Sequence, residues 1–433
     1  MQIGVVGMFH LGCVVTAGFA ECGHTVVVFE DTPDLAAKLR AGRAPLFEPG
    51  LDAMLQRHLR GGSISVTSEP AALARCSVLA ITYDTPVDDE DRGDPSAIFA
   101  AVGQLASSLP DGCLVLVMSQ LPVGACDRLA ERVRSARGGR ALPVVYSPEN
   151  LQLGRALESF LEPERIVIGA DDAASLEAAR AVFAPVGAPV LAMNRRSAEM
   201  AKQALNAFLA TSISFANEIA RLAESTGGID VGDVMEALRT DARIGPHAYL
   251  QPGPGFAGGT LARDVQALIG LASGEAPARL LPTVLAINRE QKGVVLERLR
   301  AVYERLDGLE VAVYGLTYKA GTSTLRRSAS VEIIRDLAAA GVRVDAYDPK
   351  VAREEVAAHP EFRFVDDPYR VCEAKDAAIF ITEWPEFRTM DFRRMLRAMR
   401  RPVVVDARNM LDGEHLLASG AVYLGIGKGS AAA

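Results

Sequence analysis

The chain has 433 residues, which is enough for two or three domains. Hydrophobic residues make up 49% and charged residues 23% of it, which is typical of a globular protein and excludes a disordered or collagen-like chain. The net charge of −8 disfavours a general nucleic-acid-binding protein, because such proteins carry a basic face.

The first elements in the sequence are a strand, a glycine turn, a helix and a second strand. An apolar run over residues 3–6 ends at Gly7, a helical apolar pattern begins at Gly12, and Thr25–Phe29 is a strand that ends before Glu30. Four further strand candidates follow, at residues 77–82, 113–118, 143–146 and 165–168. Helical stretches separate them. This alternation predicts one parallel α/β domain over about the first 185 residues.

A long helix is predicted next, from Ser197 to about Ser225. Apolar residues recur there at helical spacing over nearly thirty residues without Pro or Gly. Because more than one face is apolar, we expect a central spine that also packs against a second chain, and therefore a homodimer.

A second strand–turn–helix–strand unit begins at Leu309. Its strand candidates are residues 311–314, 342–347, 377–381 and 403–406, with a helix over 330–340. The predicted fold class is therefore α/β, with two doubly wound Rossmann-like domains joined by a long central helical spine. The predicted domains are residues 1–190, 191–300 and 301–425.

The six cysteines show no CxxC pair and no His at zinc-ligand spacing, so we expect buried thiols in a reducing compartment and no metal site. No signal peptide is visible, and no stretch approaches about 20 uninterrupted apolar residues. The sequence predicts a cytoplasmic protein with no membrane association.

Many short segments resemble, in order, those of nucleotide-sugar dehydrogenases of the UDP-glucose/GDP-mannose dehydrogenase family. The matching segments include Phe47-Glu48-Pro49-Gly50-Leu51, Leu121-Pro122-Val123-Gly124, Ser147-Pro148-Glu149, Gly253-Pro254-Gly255-Phe256, Thr382-Glu383-Trp384-Pro385 and Asp406-Ala407-Arg408-Asn409. The resemblance implies NAD-dependent oxidation of the C6 alcohol of a UDP- or GDP-sugar to a carboxylate. In the family a Cys holds the intermediate aldehyde as a thiohemiacetal, which allows the second hydride transfer.

The cofactor side shows both matches and departures. Gly7 and Gly12 match the first and last glycines of a dinucleotide fingerprint, and Glu30 can accept a hydrogen bond from a ribose hydroxyl. The resemblance adds Thr85 to these cofactor-binding candidates. Phe9 stands where the fingerprint has its second glycine, and we expect its ring to crowd the pyrophosphate or force a different loop path. The other departures in this region are Asp84 and Gln120.

The positions that face the nucleotide sugar in the family are largely kept. The resemblance implies that four residues hold the reacting sugar and its catalytic water: Glu149, Lys202, Asn206 and Asp264. Lys202 and Asn206 are four residues apart and share one helix face. The implied substrate-binding residues are Gly255, Arg243 (reaching the sugar from a neighbouring subunit), and Lys319 and Arg326 (contacting the UDP end).

The family's nucleophile is replaced. Its loop has the form GxGGSCFPKD, and the aligned cysteine position here is Thr260. A threonine hydroxyl needs an adjacent base to act as a nucleophile, so the usual four-electron oxidation is not expected.

Two functions remain open. The first is an NAD-dependent two-electron oxidation of a nucleotide sugar or related phosphorylated alcohol, which needs only a hydride acceptor, a base and a stabiliser of oxygen charge. The second is a non-redox descendant that binds a nucleotide sugar as a regulatory partner or redox-neutral enzyme, which the departures on the cofactor side favour. The first is preferred, because the dinucleotide site is still recognisable in Gly7, Gly12, Glu30, Thr85 and Pro86.

Overall fold

The computed structural model describes residues 1–88, 92–256, 260–272, 274 and 276–428. The chain divides into an N-terminal unit, Met1–Leu205, and a C-terminal unit, Asn206–Ala433.

The N-terminal unit is built on an eight-stranded sheet in the order β3-β2-β1-β4-β5-β6-β7-β8. Its strands are β1 Gln2–Val6, β2 Thr25–Phe29, β3 Ile64–Thr67, β4 Val78–Ile81, β5 Leu114–Val117, β6 Val144–Tyr146, β7 Ile166–Gly169 and β8 Val190–Met193. The first six strands have the order of a doubly wound dinucleotide-binding sheet, so the predicted fold class is confirmed for this unit. Strands β4 to β7 are buried along their whole length and read as nearly continuous apolar runs, because helices cover both faces of the sheet.

One pairing differs from the predicted all-parallel sheet: β7 runs antiparallel to β6 through Tyr146 and Gly169. The only helix between these strands, Ala156–Leu161, has six residues and is about 9 Å long. So short a helix does not return the chain to the starting edge of the sheet, and β7 therefore enters from the opposite end.

The described residues of this unit form seven α-helices and the start of an eighth: α1 His10–Glu21, α2 Pro33–Arg40, α3 Leu51–Arg60, α4 Ser96–Leu105, α5 Ala125–Ala136, α6 Ala156–Leu161, α7 Ala173–Phe183 and α8 Arg195–Thr226. Ten of the twelve residues of α1 are buried, because α3 and α6 cover the side that does not face the sheet. This burial explains why the sequence of α1 has no polar face.

The long helix predicted from Ser197 to about Ser225 is α8, which has 32 residues and crosses the boundary between the units. In the C-terminal unit it exposes Phe208, Phe215 and Leu222, which are spaced seven residues apart. Within the described residues, no helix is both long and apolar enough to cross a membrane.

The C-terminal unit contains helices followed by a six-stranded parallel sheet in the order β11-β10-β9-β12-β13-β14. Its strands are β9 Glu310–Tyr314, β10 Arg343–Tyr347, β11 Arg363–Phe364, β12 Ala377–Phe380, β13 Val403–Asp406 and β14 Val422–Leu424. Its helices are α9 Val231–Thr240, α10 Leu261–Ile269, α11 Leu280–Gln291, α12 Val294–Arg300, α13 Ala329–Ala339, α14 Arg353–Val356, α15 Phe392–Ala398 and α16 Gly413–Ala418. The strand order repeats that of the first sheet, which confirms the second Rossmann-like domain.

Candidate functional site

The turn between β1 and α1 has the geometry of a dinucleotide cradle. Gly7 has φ +92°, and a Cβ atom there would lie 2.4 Å from the backbone nitrogen of Tyr83. A Cβ atom on Gly12 would lie 2.3 Å from the carbonyl oxygen of Gly7. Both positions therefore require glycine, as the close approach of helix, turn and strand in such a cradle demands. The residues present fit a dinucleotide at these two positions.

Phe9 lies in this turn, directly before α1. It has φ −98°, which an ordinary residue adopts, and its N–H donates to the carbonyl of Gly7 at 3.0 Å. Its carbonyl accepts the first hydrogen bond of α1, from the N–H of Cys13 at 3.1 Å. Phe9 therefore connects the turn to α1 through its backbone, and its ring is half-buried.

The other cofactor-side residues lie at the carboxyl edge of the same sheet. Glu30 follows β2 and accepts a hydrogen bond from the N–H of Thr32 at 2.8 Å. The Thr85 hydroxyl is buried and donates to the carbonyl of Gln120 at 2.5 Å. Thr85 therefore joins the loops that follow β4 and β5, which is a role the sequence did not indicate. Asp84 beside it is exposed.

Glu48 organises the same edge and was named only as part of a matching segment. Its carboxylate is buried and accepts from Nε2 of His10 at 2.9 Å. It also accepts from the N–H groups of Gly154 at 2.9 Å and Ala156 at 2.8 Å, at the start of α6. Burial by itself raises the pKa of Glu48, but these hydrogen bonds outweigh burial and leave the pKa below its usual value. The sequence signal for Glu48 was a Glu between an aromatic residue and Pro-Gly.

The first turns of α8 hold two loops of the N-terminal unit. The Lys202 ammonium donates to the carbonyl oxygen of Glu149 at 2.5 Å and to Oδ1 of Asn150 at 3.2 Å. The carboxylate of Glu149 instead accepts from the N–H of Leu151 within its own loop. Lys202 and Glu149 are thus brought together, as the resemblance implies, but the contact uses the backbone of Glu149.

Glu199 lies one turn before Lys202 and was not predicted as a functional residue. It is fully buried, and its carboxylate accepts from the N–H groups of Gly124 at 2.6 Å and Cys126 at 2.8 Å. It therefore caps the start of α5 and fixes the loop that follows β5.

In the C-terminal unit, Asn206 and Asp264 form a buried pair. Nδ2 of Asn206 donates to Oδ2 of Asp264 at 2.5 Å, and both side chains are almost inaccessible. Arg263 lies 3.5 Å from the second carboxylate oxygen of Asp264. Thr260 is exposed one turn earlier, where α10 begins, and its side chain makes no capping hydrogen bond. Two of the four predicted catalytic residues are thus in direct contact here.

The pKa of every cysteine thiol is raised above its usual value. Burial raises the pKa of Cys13 and Cys113 to about 12 and that of Cys76 to about 11. The pKa values of the other thiols are also raised, chiefly by burial: Cys22, Cys126 and Cys372. Cys372, which is in the C-terminal unit, packs in the core beside the second sheet. None of the six has the lowered pKa of a reactive thiolate.

The carboxyl edge of the second sheet carries the residues predicted to hold the UDP end. Lys319 and Arg326 are both exposed in the segment between β9 and α13. Asp348 fixes the start of that segment by accepting from the N–H groups of Leu316 at 2.8 Å and Thr317 at 2.9 Å.

Trp384 is buried beside these residues. Its indole Nε1 donates to Oγ1 of Thr317 at 3.2 Å and to Oδ2 of Asp348 at 3.1 Å. The same carboxylate thus holds the indole and the backbone of the segment.

Arg408 is a further cation that the sequence did not single out. Its Nε donates to the carbonyl of Ile381 at 3.2 Å and lies 3.6 Å from the Glu383 carboxylate. A Cβ atom on Gly253 would lie 3.3 Å from its guanidinium, so Arg408 borders the loop that contains Gly255. Burial lowers the pKa of Arg408, partly offset by Glu383. Its position directly after a strand of a doubly wound sheet was the available signal.

Arg243 stands apart from these groups on the surface. Its side chain is 89% exposed, and its guanidinium pairs with Asp241 at 2.7 Å. Within the described residues it is not brought to the Asn206–Asp264 pair.

Comparison with known proteins covers nearly the whole chain. Three models of the UDP-glucose/GDP-mannose dehydrogenase family match in order: the NAD binding domain over residues 1–187, the central domain over 196–290 and the UDP binding domain over 312–413. The chain is 36% identical to a UDP-glucose 6-dehydrogenase of Pseudomonas aeruginosa, over 99% of this chain and 98% of that protein. It is 34% identical to a UDP-glucose 6-dehydrogenase of Rhizobium meliloti, over 99% and 100%. Among solved structures, a UDP-glucose dehydrogenase of Pyrobaculum islandicum superposes with a TM-score of 0.87 at 34% identity, covering 99% of this chain and 98% of that one.

Proposed function

This chain belongs to the UDP-glucose/GDP-mannose dehydrogenase family, and from that premise we propose that it is an NAD-dependent oxidoreductase that acts on a CH–OH group of a nucleotide sugar. The family resemblance noted in the sequence and the predicted NAD cofactor are confirmed by these matches. The observation that carries the proposal is the presence, in order, of the NAD-binding, central and UDP-binding domains, together with a glycine cradle that accepts no side chain at Gly7 or Gly12. Because the curated relatives are UDP-glucose 6-dehydrogenases, UDP-glucose is the first substrate to test.

We propose roles for three of the predicted polar groups from their contacts. Bound NAD+ supplies the hydride acceptor. The buried Asp264 carboxylate, oriented by Asn206, takes the hydroxyl proton directly or through a water. The Lys202 ammonium, held by the Glu149 carbonyl and Asn150, stabilises negative charge on the reacting oxygen.

We propose that the reaction stops after two electrons. NAD+ would take the hydride of the alcohol carbon and leave as NADH, while the Asp264 carboxylate takes the hydroxyl proton, so that an aldehyde is the product. A second oxidation through a thiohemiacetal needs a thiolate, whereas Thr260 occupies the cysteine position and all six thiols have raised pKa values.

The test is calorimetric titration with NAD+ and, separately, UDP-glucose, followed by counting NADH formed per sugar consumed. We expect binding of both ligands and one NADH per sugar. Lys202→Ala should abolish turnover, whereas Lys38→Ala, at an exposed position of α2, should not change it. Two NADH per sugar would refute the two-electron reaction.

The second candidate function is a non-redox descendant that binds a nucleotide sugar. The Phe9 ring at the cradle and the exposed Asp84 carboxylate favour it, because a pyrophosphate is large and negatively charged. A heat of binding for UDP-glucose with none for NAD+ would select this function and overturn the first.

We also propose a homodimer. Phe208, Phe215 and Leu222 form an apolar stripe on α8 and are 69%, 44% and 57% exposed. A stripe with a seven-residue repeat on a long helix is typical of a helix that packs against another helix. The exposed Arg243 is then available to a partner's substrate. A monomer in light scattering at micromolar concentration would refute the dimer.

A further inference from the structure

The backbone of the loop Gly253–Phe256 is held by buried side-chain amides from two helices. Oδ1 of Asn217, on α8, accepts from the N–H of Gly253 at 2.8 Å. Nε2 of Gln291, on α11, donates to the carbonyl of the same residue at 2.8 Å. Both amide side chains are fully buried.

Asn288 makes two of these hydrogen bonds, both to one residue. Its Oδ1 accepts from the N–H of Phe256 at 2.7 Å, and its Nδ2 donates to the carbonyl of Phe256 at 3.0 Å. The carboxamide thus bonds both polar groups of one residue, which fixes its position and rotation. We call Asn217, Asn288 and Gln291 the amide clamp.

The clamp is maintained at an energetic cost. Nδ2 of Asn217 is buried and makes no hydrogen bond within the described part of the chain. A buried amide donor without a partner destabilises a fold, and Asn is a poor helix former. An apolar residue would fill these helix positions at less cost if the loop path did not matter.

The loop path matters because Phe256 connects the clamp to the Asn206–Asp264 pair. The Phe256 ring packs in one core cluster with Ala207 and Ala262. Ala207 is the neighbour of Asn206 in the chain, and Ala262 lies two residues before Asp264. The other end of the loop borders the Arg408 guanidinium.

We infer that Asn288 is a positioning residue of the nucleotide-sugar site, which sets the loop Gly253–Phe256 in the conformation that binds the substrate. This inference rests on the proposed function and assigns substrate affinity to a residue that acts through the loop. Binding sites hold the groups that touch the ligand to within about 0.5 Å by hydrogen bonds from residues behind them.

Gly255 provides an independent test of the same contact. It has φ +81°, and a Cβ atom there would lie 2.5 Å from Oδ1 of Asn288. Gly255→Ala therefore pushes the carboxamide away from Phe256, and it also strains the backbone at φ +81°. In an Asn288→Ala background the colliding oxygen is absent but the strain remains. The two substitutions share the collision, so their combined effect should be smaller than the product of the single effects.

The experiment is a double-mutant cycle on the full chain, with Kd measured by calorimetry for UDP-glucose and for NAD+. Asn288→Ala and Gly255→Ala should each weaken UDP-glucose binding by about tenfold or more, and the double variant by roughly 10- to 30-fold instead of about 100-fold. The Kd for NAD+ should stay within about twofold. Leu299→Ala, a core truncation on α12, is the control for a loss of stability without a loss of the clamp.

The outcomes separate the hypotheses. The inference is overturned if Asn288→Ala has the Tm of Leu299→Ala but binds UDP-glucose with the wild-type Kd. It is also overturned if the effects of Asn288→Ala and Gly255→Ala on this Kd multiply fully in the double variant. If Asn288→Ala aggregates, unchanged affinity in Gly255→Ala overturns it equally. Wild-type protein that binds neither UDP-glucose nor UDP would instead refute the proposed function, and this inference with it.

Discussion

Glu48→Gln should destabilise the N-terminal unit while keeping the shape of the side chain. The carboxylate accepts three hydrogen bonds, from His10 and from the N–H groups of Gly154 and Ala156. A glutamine keeps one oxygen acceptor and must turn its NH2 group toward at least one of these donors. That donor then loses its partner in a site where the side chain is 1% exposed.

The size of the effect follows from this geometry. One lost hydrogen bond to a charged acceptor contributes about 1.5–3 kcal/mol, and the unpaired donor left behind adds to the loss. For a unit of 150–250 residues, each kcal/mol lowers Tm by about 2–4 °C. We therefore expect Tm to fall by roughly 4–10 °C for the transition of the N-terminal unit.

Scanning calorimetry at several pH values is the assay. In the folded protein the pKa of Glu48 lies below its usual 4.5. The ionised carboxylate therefore stabilises the fold fully above pH 4.5, and this stabilisation is lost as the pH falls through the lowered pKa. The gap in Tm between wild type and Glu48→Gln should be full at pH 7 and should shrink below about pH 4.5. Glu158→Gln removes an exposed partner of Arg155 and should leave Tm within about 1 °C. Equal Tm values for wild type and Glu48→Gln at pH 7 would refute the assigned role of the carboxylate.

Three further outcomes test the site and the assembly. Thr260→Cys should raise the yield from one NADH per UDP-glucose to two, and a ratio that stays at one would show that Thr260 is not what limits the oxidation. Asp264→Asn should lower kcat by roughly 10²- to 10⁴-fold while leaving the Kd for UDP-glucose within a few fold, and an unchanged kcat would exclude Asp264 as the proton acceptor. Phe208→Glu should halve the mass measured by light scattering, and a variant that stays dimeric would move the interface away from the α8 stripe.

Most of the fold could be predicted from the sequence, because buried parallel strands read as apolar runs between glycine turns. The strand candidate at residues 113–118 and the observed β5, Leu114–Val117, differ by one residue at each end. The long helix was equally clear, since no Pro or Gly interrupts it. The reversal of β7 could not be predicted, because it depends on how far the short α6 carries the chain and not on local pattern.

The site was predicted less completely, for a physical reason. The sequence pointed to ionisable and amide side chains at matching family positions, and two of them, Asn206 and Asp264, are hydrogen-bonded to each other. Glu48 and Glu199 were not identified as functional, because a carboxylate that caps a distant loop has no spacing rule in sequence. Thr85 was assigned to the cofactor, yet its hydroxyl is used between two loops, a contact set by sheet order.

Trp384 gives this protein a built-in optical probe. It is the single tryptophan of the chain, so selective excitation of indole reports one location only. Its Nε1–H is bonded to Thr317 and to the Asp348 carboxylate, which also fixes the segment leading to Lys319. A nucleotide that reorders this segment would change the field at the indole and shift its emission. Occupancy of the UDP-binding domain could thus be followed in the unmodified protein, without label or turnover.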